Sequence, residues 1–450
     1  MAPSLILINP WIHDFAAYDL WSKPLGLLYL AGYLRACGFD IHLVDCLAVH
    51  HPALKQSALP ARRAYGTGKF LREKAARSPV LKPISRSYSR YGIPTQLFVD
   101  ALRDTESPAA ILVTSLMTYW YPGVTEAIAV AREVHPETPV LLGGIYARLC
   151  EKHAIATSGA DRVVTEISLQ DMKKLLDVLR DFGVGGGMAP PSSRGLPLPA
   201  FDLLHGLDHV PLLTSIGCPY RCDYCASHFL NPRFLTQDPH RVLEEILHWH
   251  RERGIRDFAF YDDALLVGFE KHLGLLLEGV VKQNLGLRFH TPNALHVKEL
   301  SPGAAELLCR AGFKTIRLGF ETSDMALHHC LDRKLSAGDF ERAVHALRKA
   351  GFAREQIGAY ILAGLPGQTV GSVKESVEFV NRIGALPFLA EYSPIPHTAL
   401  WDRAVASSDY DLAAEPLFHN NTLLPCWDEE QRREFRKVKA RVMEIRKSNK

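Results

Sequence analysis

The sequence predicts two α/β bodies in series: a doubly wound parallel sheet over residues 1–165, then a partial barrel of six β/α units over 206–405. Three observations carry this expectation. Short apolar runs alternate with helix-patterned stretches through both halves. The alternation stops at 183–193, Gly-Val-Gly-Gly-Gly-Met-Ala-Pro-Pro-Ser-Ser, a linker by composition. The chain has 450 residues, too many for a single core.

In the first body, Leu5–Ile8 is a strand stopped by Asn9-Pro10, and Leu25–Ala36 is a helix closed by Gly38. Further strands are expected at 41–44, 110–114, 139–142 and 161–164, with helices at 124–134 and 147–157. This is the rhythm of a Rossmann- or flavodoxin-like sheet. Ligands of such sheets bind at the carboxyl ends of the strands, here after Asn9, Ser115 and Gly143. An insertion at about 50–100 interrupts the pattern. Residues 55–90 hold ten Lys or Arg and one acid, Glu73, and read as a solvated basic loop or a seat for an anionic group. Gly66-Thr67-Gly68-Lys69 is not a phosphate-binding loop, because the spacing is wrong and Phe70 stands where Ser or Thr is needed. A helix at 170–182 leads into the linker, so 166–205 connects the two bodies.

In the second body, strands are expected at 211–216, 257–261, 287–291, 315–320, 357–362 and 388–392. Asp238-Pro239 and Ser301-Pro302 are helix starts, and Gly254, Gly312, Gly351 and Gly384 are helix stops. Six units make an incomplete barrel rather than the full eight. The extension 406–450 ends in a charged helix from Asp428 to Lys447, read as a solvated or packing helix.

The formal net charge of +3 gives no reason to expect nucleic acid. No stretch is long and apolar enough to span a membrane, and no signal peptide is evident. The nine Cys are odd in number and three crowd together, which suggests a metal site in a reducing, cytoplasmic setting.

Those three are Cys218, Cys222 and Cys225, in Ser-Ile-Gly-Cys-Pro-Tyr-Arg-Cys-Asp-Tyr-Cys-Ala-Ser (215–227), the loop after the first barrel strand. That loop lies on the catalytic face of a β/α barrel. Three thiolates on one loop can wrap a face of an iron–sulfur cubane, whose fourth iron then stays open to a small molecule. The rival is zinc, with His228 as a fourth ligand in a non-catalytic binding module.

Cys-x3-Cys-x2-Cys with Tyr224 before the last Cys resembles the signature of the radical S-adenosylmethionine (SAM) superfamily, whose fold is a partial TIM-type barrel. The resemblance implies a [4Fe–4S] cluster held by Cys218, Cys222 and Cys225, with SAM on the open iron. It also implies SAM contacts from Tyr224, from Asp262 and Asp263 after the second strand, and from Asn293 after the third. Gly319-Phe320-Glu321-Thr322-Ser323 is similar to the family's Gly-(x)-Glu-Ser element, which brings Glu321 and Ser323 to SAM. Lys334, or alternatively Arg333, would meet the SAM carboxylate. Gly364-Leu365-Pro366-Gly367-Gln368-Thr369 resembles the turn bordering adenine. Pro394-Ile395-Pro396-His397-Thr398 resembles Pro-x-Pro-Gly-Thr, with His397 in place of Gly.

Residues 1–165 resemble the cobalamin-binding domain that precedes many such barrels. The matching stretches are Asn9-Pro10, 24–31, 114–121 and 141–147, so Asn9, Thr114, Ser115, Tyr119, Gly143 and Gly144 are the candidate cobalamin contacts. Asp40-Ile41-His42 starts the cobalt-ligating Asp-x-His-x-x-Gly motif, but Asp45 stands where Gly should be. His13, His42, His50 and His51 are read as surface or structural residues. The resemblance implies a cobalamin-dependent methyltransferase acting on an unactivated carbon of a small molecule or natural product. Flavodoxin or ferredoxin would supply electrons. The alternative is a radical SAM enzyme of another reaction type, such as cyclisation, rearrangement or C–S bond formation, with a vestigial cobalamin fold.

Overall fold

The structure, a computed structural model, describes residues 2–55, 59–185, 195–332 and 334–448. Most of the expected linker at 183–193, and Arg333, lie outside these residues. The chain divides into two compact units, Met1–Asp208 and His209–Lys450.

The first unit runs β1 (Ser4–Asn9), α1 (Leu25–Ala36), β2 (Asp40–Asp45), α2 (Thr95–Arg103), β3 (Ala110–Val113) and α3 (Tyr121–Val134). It continues with β4 (Val140–Leu142), α4 (Ile145–Leu149), α5 (Glu151–Thr157), β5 (Arg162–Val163) and α6 (Lys174–Asp181). All pairings in the main sheet are parallel, in the order β2-β1-β3-β4-β5, the flavodoxin-like arrangement. Helices cover both faces. Ile6 and Ile8 pack with Phe98 of α2 and Ile128 of α3, while Leu5 and Leu7 pack with Leu34 of α1 and Leu179 of α6. That double burial is why β1 reads as a continuous apolar run without alternation. The helix expected over 147–157 is two helices, since Cys150 leaves helical dihedrals at φ −130°, ψ 46°.

The basic insertion is more than a solvated loop. Ile12–Asp14 pairs with Ser89–Tyr91, which pairs with Arg72–Lys74, and Tyr18–Asp19 pairs with Gly68–Lys69. Carboxylates outside the basic run absorb part of its charge. Buried Asp19 meets Arg62 at 2.6 Å, and Glu126 meets Arg90 at 2.6 Å.

The second unit runs β6 (Val210–Leu212), α7 (Ser227–Leu230), α8 (Pro239–Arg253), β7 (Asp257–Phe260), α9 (Leu273–Gln283), β8 (Arg288–His290), α10 (Pro302–Ala311) and β9 (Phe313–Glu321). Then come α11 (Met325–Leu331), α12 (Asp339–Lys349), β10 (Ile357–Ala363), α13 (Val370–Ile383), β11 (Leu386–Glu391), α14 (Trp401–Ser407) and α15 (Glu429–Lys447). β6 to β11 pair in chain order, all parallel, and the path ends at β6 and β11 without closing. α15 packs Phe435, Val438, Val442 and Ile445 inward, and its Lys439 meets Glu391 of β11 at 2.6 Å. The helix therefore covers the edge strand, which would otherwise offer unpaired backbone groups.

The strand expected over 211–216 is broken. Only Val210–Leu212 joins the barrel sheet, and Ser215–Ile216 pairs antiparallel with Leu235–Thr236. The cause is Asp262, whose Oδ1 accepts both backbone N–H groups and both hydroxyls of Thr214 and Ser215. These four bonds pull the chain out of the sheet where β6 ends.

Candidate cluster and cosubstrate site

The loop bearing Cys218, Cys222 and Cys225 starts at Gly217, which has φ +80°. A Cβ there would lie 2.7 Å from the Arg233 carbonyl oxygen, so no larger residue fits without a shift. The loop is tied on both sides. The Asp223 amide donates to the Leu331 carbonyl at 2.8 Å, and the Leu400 amide donates to the Asp223 carbonyl at 2.9 Å. The Ser227 amide donates to Cys225 Sγ at 3.4 Å.

Cys222 is buried, and Cys218 and Cys225 are partly so. Burial raises all three thiols, Cys225 to about 11, so they are neutral until a metal replaces the proton. Among the described residues, no three His, Cys, Asp or Glu converge tightly enough to hold a single ion. His228 therefore completes no Cys3His set there. Ligands of a cubane each take a different iron, so their sulfurs need not converge on one point. The donor set, three thiols on one loop at a strand's carboxyl end, fits a cubane with one iron left open.

Lys334 stands beside this loop. Its Nζ lies 5.7 Å from the Tyr220 ring centroid and 6.0 Å from that of Tyr224. Burial works against its charge, but Cys222, Glu321 and Asp332 outweigh this and push the ammonium up to about 12. Asp332 is fixed by three donors: Tyr224 Oη at 3.4 Å, the Lys334 amide at 3.2 Å and a ring nitrogen of buried His328 at 3.2 Å. The other His328 nitrogen is 2.8 Å from the Thr322 carbonyl. Glu321 is buried with φ +65°, and burial pushes its carboxyl up to about 7, with Lys334 opposing. Tyr224, Glu321 and Lys334, three of the expected SAM contacts, thus form one charged cluster. His328 and Asp332, which the sequence reading missed, hold it. Their i, i+4 spacing across the end of α11 is the available signal.

The other expected contacts are placed as follows. Asp262 is the latch already described; burial pushes its carboxyl up to about 6, and its buried Oδ2 has no hydrogen-bond partner among the described residues. Asp263 accepts from Ser227 Oγ at 2.5 Å, which ties β7 to the cysteine loop. Asn293 Nδ2 donates to the Tyr261 carbonyl at 2.8 Å. Ser323 is turned toward α13, where its amide donates to Ser376 Oγ at 2.9 Å and its hydroxyl lies 3.0 Å from the same atom. At the β10 turn, Gly364 has φ +97°, and the Gly364 and Leu365 amides donate to Gln368 Oε1 at 3.0 and 3.2 Å. Gln368 Nε2 returns a bond to the Leu362 carbonyl, closing the turn. His397 takes φ +66°, a conformation suited to glycine, and its ring stacks on Phe229 at 4.2 Å.

In the first unit the expected contacts gather where the strand order reverses, at the carboxyl ends of β1, β3 and β4. Asn9 Nδ2 donates to Asp45 Oδ1 at 2.7 Å, and Ser115 Oγ donates to the Gly143 carbonyl at 2.6 Å. Tyr119 is buried, and the Thr114 amide donates to the Ile8 carbonyl. Gly144 has φ +94°, and a Cβ there would lie 2.3 Å from the Ser115 carbonyl oxygen. The side chains of Asn9 and Ser115 thus build the strand ends. The surface beside them is apolar, with Met117 48% and Ile145 37% exposed; both lie in the matching stretches but outside the expected contacts. A small hollow adjoins it, lined by Asn9, Trp11, Ser115 and Trp120 among others. The histidines have other uses: His42 pairs with Asp40 near the amino end of β2, His13 with Glu126 and His50 with Asp208, while His51 packs edge-on to His205.

Residues 212–380 match the radical SAM superfamily. An uncharacterized methyltransferase of Pyrococcus horikoshii is 26% identical over 224 residues, 47% of this chain and 47% of that protein. The match thus spans about half the length of that relative. Cytidylyl-2-hydroxyethylphosphonate methyltransferase of Streptomyces wedmorensis is 20% identical over 445 residues, 84% of this chain and 77% of that one. The radical SAM methyltransferase TsrM of Kitasatospora setae, solved with cobalamin and a [4Fe–4S] cluster, superposes with a TM-score of 0.63 at 16% identity. That superposition covers 96% of this chain and 86% of TsrM. Residues 212–380 thus carry the radical SAM match, and the chain as a whole shares the fold of TsrM. The cofactors that this superfamily implies are a [4Fe–4S] cluster and SAM.

Proposed function

We propose that the protein is a cobalamin-dependent radical SAM methyltransferase that methylates an unactivated carbon of a small molecule. The observation that carries this reading is the three-thiol loop at the carboxyl end of β6, with the cationic Lys334 held beside Cys222. In this reading Cys218, Cys222 and Cys225 hold the cluster. Lys334, fixed among Tyr220, Tyr224, Glu321 and Asp332, receives the carboxylate of SAM. Asn293 and the Gly364-Leu365 turn, both at strand ends, border its ribose and adenine. Met117, Gly143-Gly144 and Ile145 present a low, apolar surface for the corrin. When bound, the cluster supplies the electron that splits SAM into methionine and a 5′-deoxyadenosyl radical, and cobalamin supplies the methyl carrier. The chain's own part is placement and exclusion of water, and burial of the Lys334 cluster serves both.

Two relatives named as methyltransferases, and the fold shared with TsrM, support methyl transfer. A second reading, a radical SAM enzyme of another reaction type, is favoured by one observation. Asn9 and Ser115 are spent inside the first unit, and His42, the histidine of the partial cobalt-ligating motif, pairs with Asp40 near the amino end of β2. An electron donor such as flavodoxin or ferredoxin completes either reading. The test is anaerobic incubation of the iron-reconstituted protein with SAM, cobalamin and a low-potential reductant. Methyl transfer predicts both 5′-deoxyadenosine and S-adenosylhomocysteine. 5′-Deoxyadenosine alone selects the second reading, and neither product refutes both.

A further inference from the structure

Strand β9 presents Ile316, Leu318 and Phe320 to the helix layer, where Phe320 packs on Phe340 of α12 and Phe379 of α13. Alternation turns Thr315, Arg317 and Gly319 to the opposite, concave face. Glu321 belongs to that face, because its Oε1 would lie 3.2 Å from a Cβ on Gly319. Arg317 therefore looks into the barrel from below the Lys334–Glu321 cluster.

Its guanidinium lies 4.2 Å from the Phe388 ring centroid, and that of Arg446, on α15, lies 4.1 Å from the same centroid. Gly358 makes room for this packing, since a Cβ there would lie 2.6 Å from the Phe388 ring and 3.0 Å from Arg317 Cδ. One Arg317 nitrogen, Nη1, donates to the Ile316 carbonyl at 2.9 Å. Arg317 makes no ion pair among the described residues. The charged or titratable groups that act on it are Tyr360 and the second cation, Arg446, and burial lowers its pKa. A partly buried guanidinium with no carboxylate partner among the described residues is costly unless an anion joins it. A guanidinium stacked on a ring keeps its N–H edge in plane, ready for two oxygens of one anion.

We propose that Arg317 anchors a subsite for an oxyanion of the substrate, a phosphate or a carboxylate, on the concave face of the barrel beside Phe388 and Tyr360. The subsite rests on the reading above, in which that face takes a small-molecule substrate. Arg317 and Glu321 pair with Gly358 and Ile361, three steps apart and roughly 10 Å along the strand, so the anionic group sits at the far end of an elongated substrate.

The test is a titration of the full chain with inorganic phosphate, and in parallel with acetate, at constant ionic strength, read as melting temperature. The expected result is a saturable rise for the wild-type chain with one of the two probes, which names the anion. Arg317→Gln should raise the half-saturating concentration at least about tenfold, and Arg317→Lys by less. No saturable rise with either probe, or wild-type half-saturation in Arg317→Gln, overturns the proposal. If Arg317 only clamps α15, the variant melts lower without ligand while half-saturation stays put, which also overturns it. If Arg317→Gln does not fold, wild-type half-saturation in Arg317→Lys overturns it. Wild-type formation of 5′-deoxyadenosine is scored separately, so failure of the radical SAM reading is distinguishable from failure of this one.

Discussion

Asp262 is the point where barrel geometry and the cysteine loop are joined, and its removal has a calculable cost. Asp262→Ala deletes the acceptor of four hydrogen bonds and leaves the Thr214 and Ser215 amides buried without a partner. Each unsatisfied buried donor costs about 1–3 kcal/mol, and the freed hydroxyls can turn elsewhere, so the expected loss is about 3–5 kcal/mol. For a unit of this size that lowers the melting temperature by about 10 °C. Asp262→Asn keeps an acceptor oxygen at the Oδ1 position and should lose less than half as much. The pH dependence adds a second readout. The carboxyl is pushed up to about 6 in the folded chain, above its ordinary 3.8. The folded state therefore keeps a proton that the unfolded chain has already released. As pH rises from about 4 through 6, this group's contribution to stability falls, and Asp262→Asn removes that dependence. The assay is thermal unfolding of the full chain from pH 4 to 8, with iron content measured after reconstitution. Equal melting temperatures for the wild type and Asp262→Ala, or identical pH profiles for the wild type and Asp262→Asn, would refute the reasoning.

Other outcomes follow from the same geometry. Cys222→Ala should lose the cluster and all SAM cleavage; 5′-deoxyadenosine from that variant would overturn the ligand assignment. Lys334→Gln removes a cation seated by Glu321 and Asp332, and should weaken SAM binding about ten- to a hundredfold in equilibrium dialysis while iron is retained. Unchanged affinity would remove Lys334 from the SAM site. Gly144→Ala forces a Cβ to 2.3 Å from the Ser115 carbonyl oxygen at φ +94°, and should destabilise the first unit by at least about 2 kcal/mol. A wild-type unfolding curve for that variant would contradict the described turn.

Strong local signals made much of the fold legible in the sequence. α1 spans the residues that periodicity and Gly38 predict, and five of the six expected barrel strands stand within about two residues of their expected ends. The sixth, 211–216, splits because a carboxylate 47 and 48 residues away claims its backbone, and no local pattern reports that. The insertion's strands are two or three residues long, too short for any period to show. At the site, spacing alone marks the three cysteines, and the strand-end rule points to Glu321 and Asn293 as expected contacts. Ser323, expected to meet SAM, bonds Ser376 instead. The register shift between Gly319 and Glu321, with Glu321 at φ +65°, rotates the residues that follow, and alternation does not foresee that. Gln368 closes the Gly364 turn through a side chain that sequence marks only as part of a motif.

The central claim is that the loop at 218–225 carries a [4Fe–4S] cluster in a chain that also takes up cobalamin. The most direct measurement is an anaerobic absorption spectrum, with metal analysis, of desalted protein produced with iron and a cobalamin supply. The account predicts broad iron–sulfur absorption with corrin bands superimposed, and loss of the iron–sulfur part in Cys222→Ala. Iron–sulfur absorption without corrin would contradict the two-cofactor reading, and a colourless, zinc-containing protein would contradict the cluster itself.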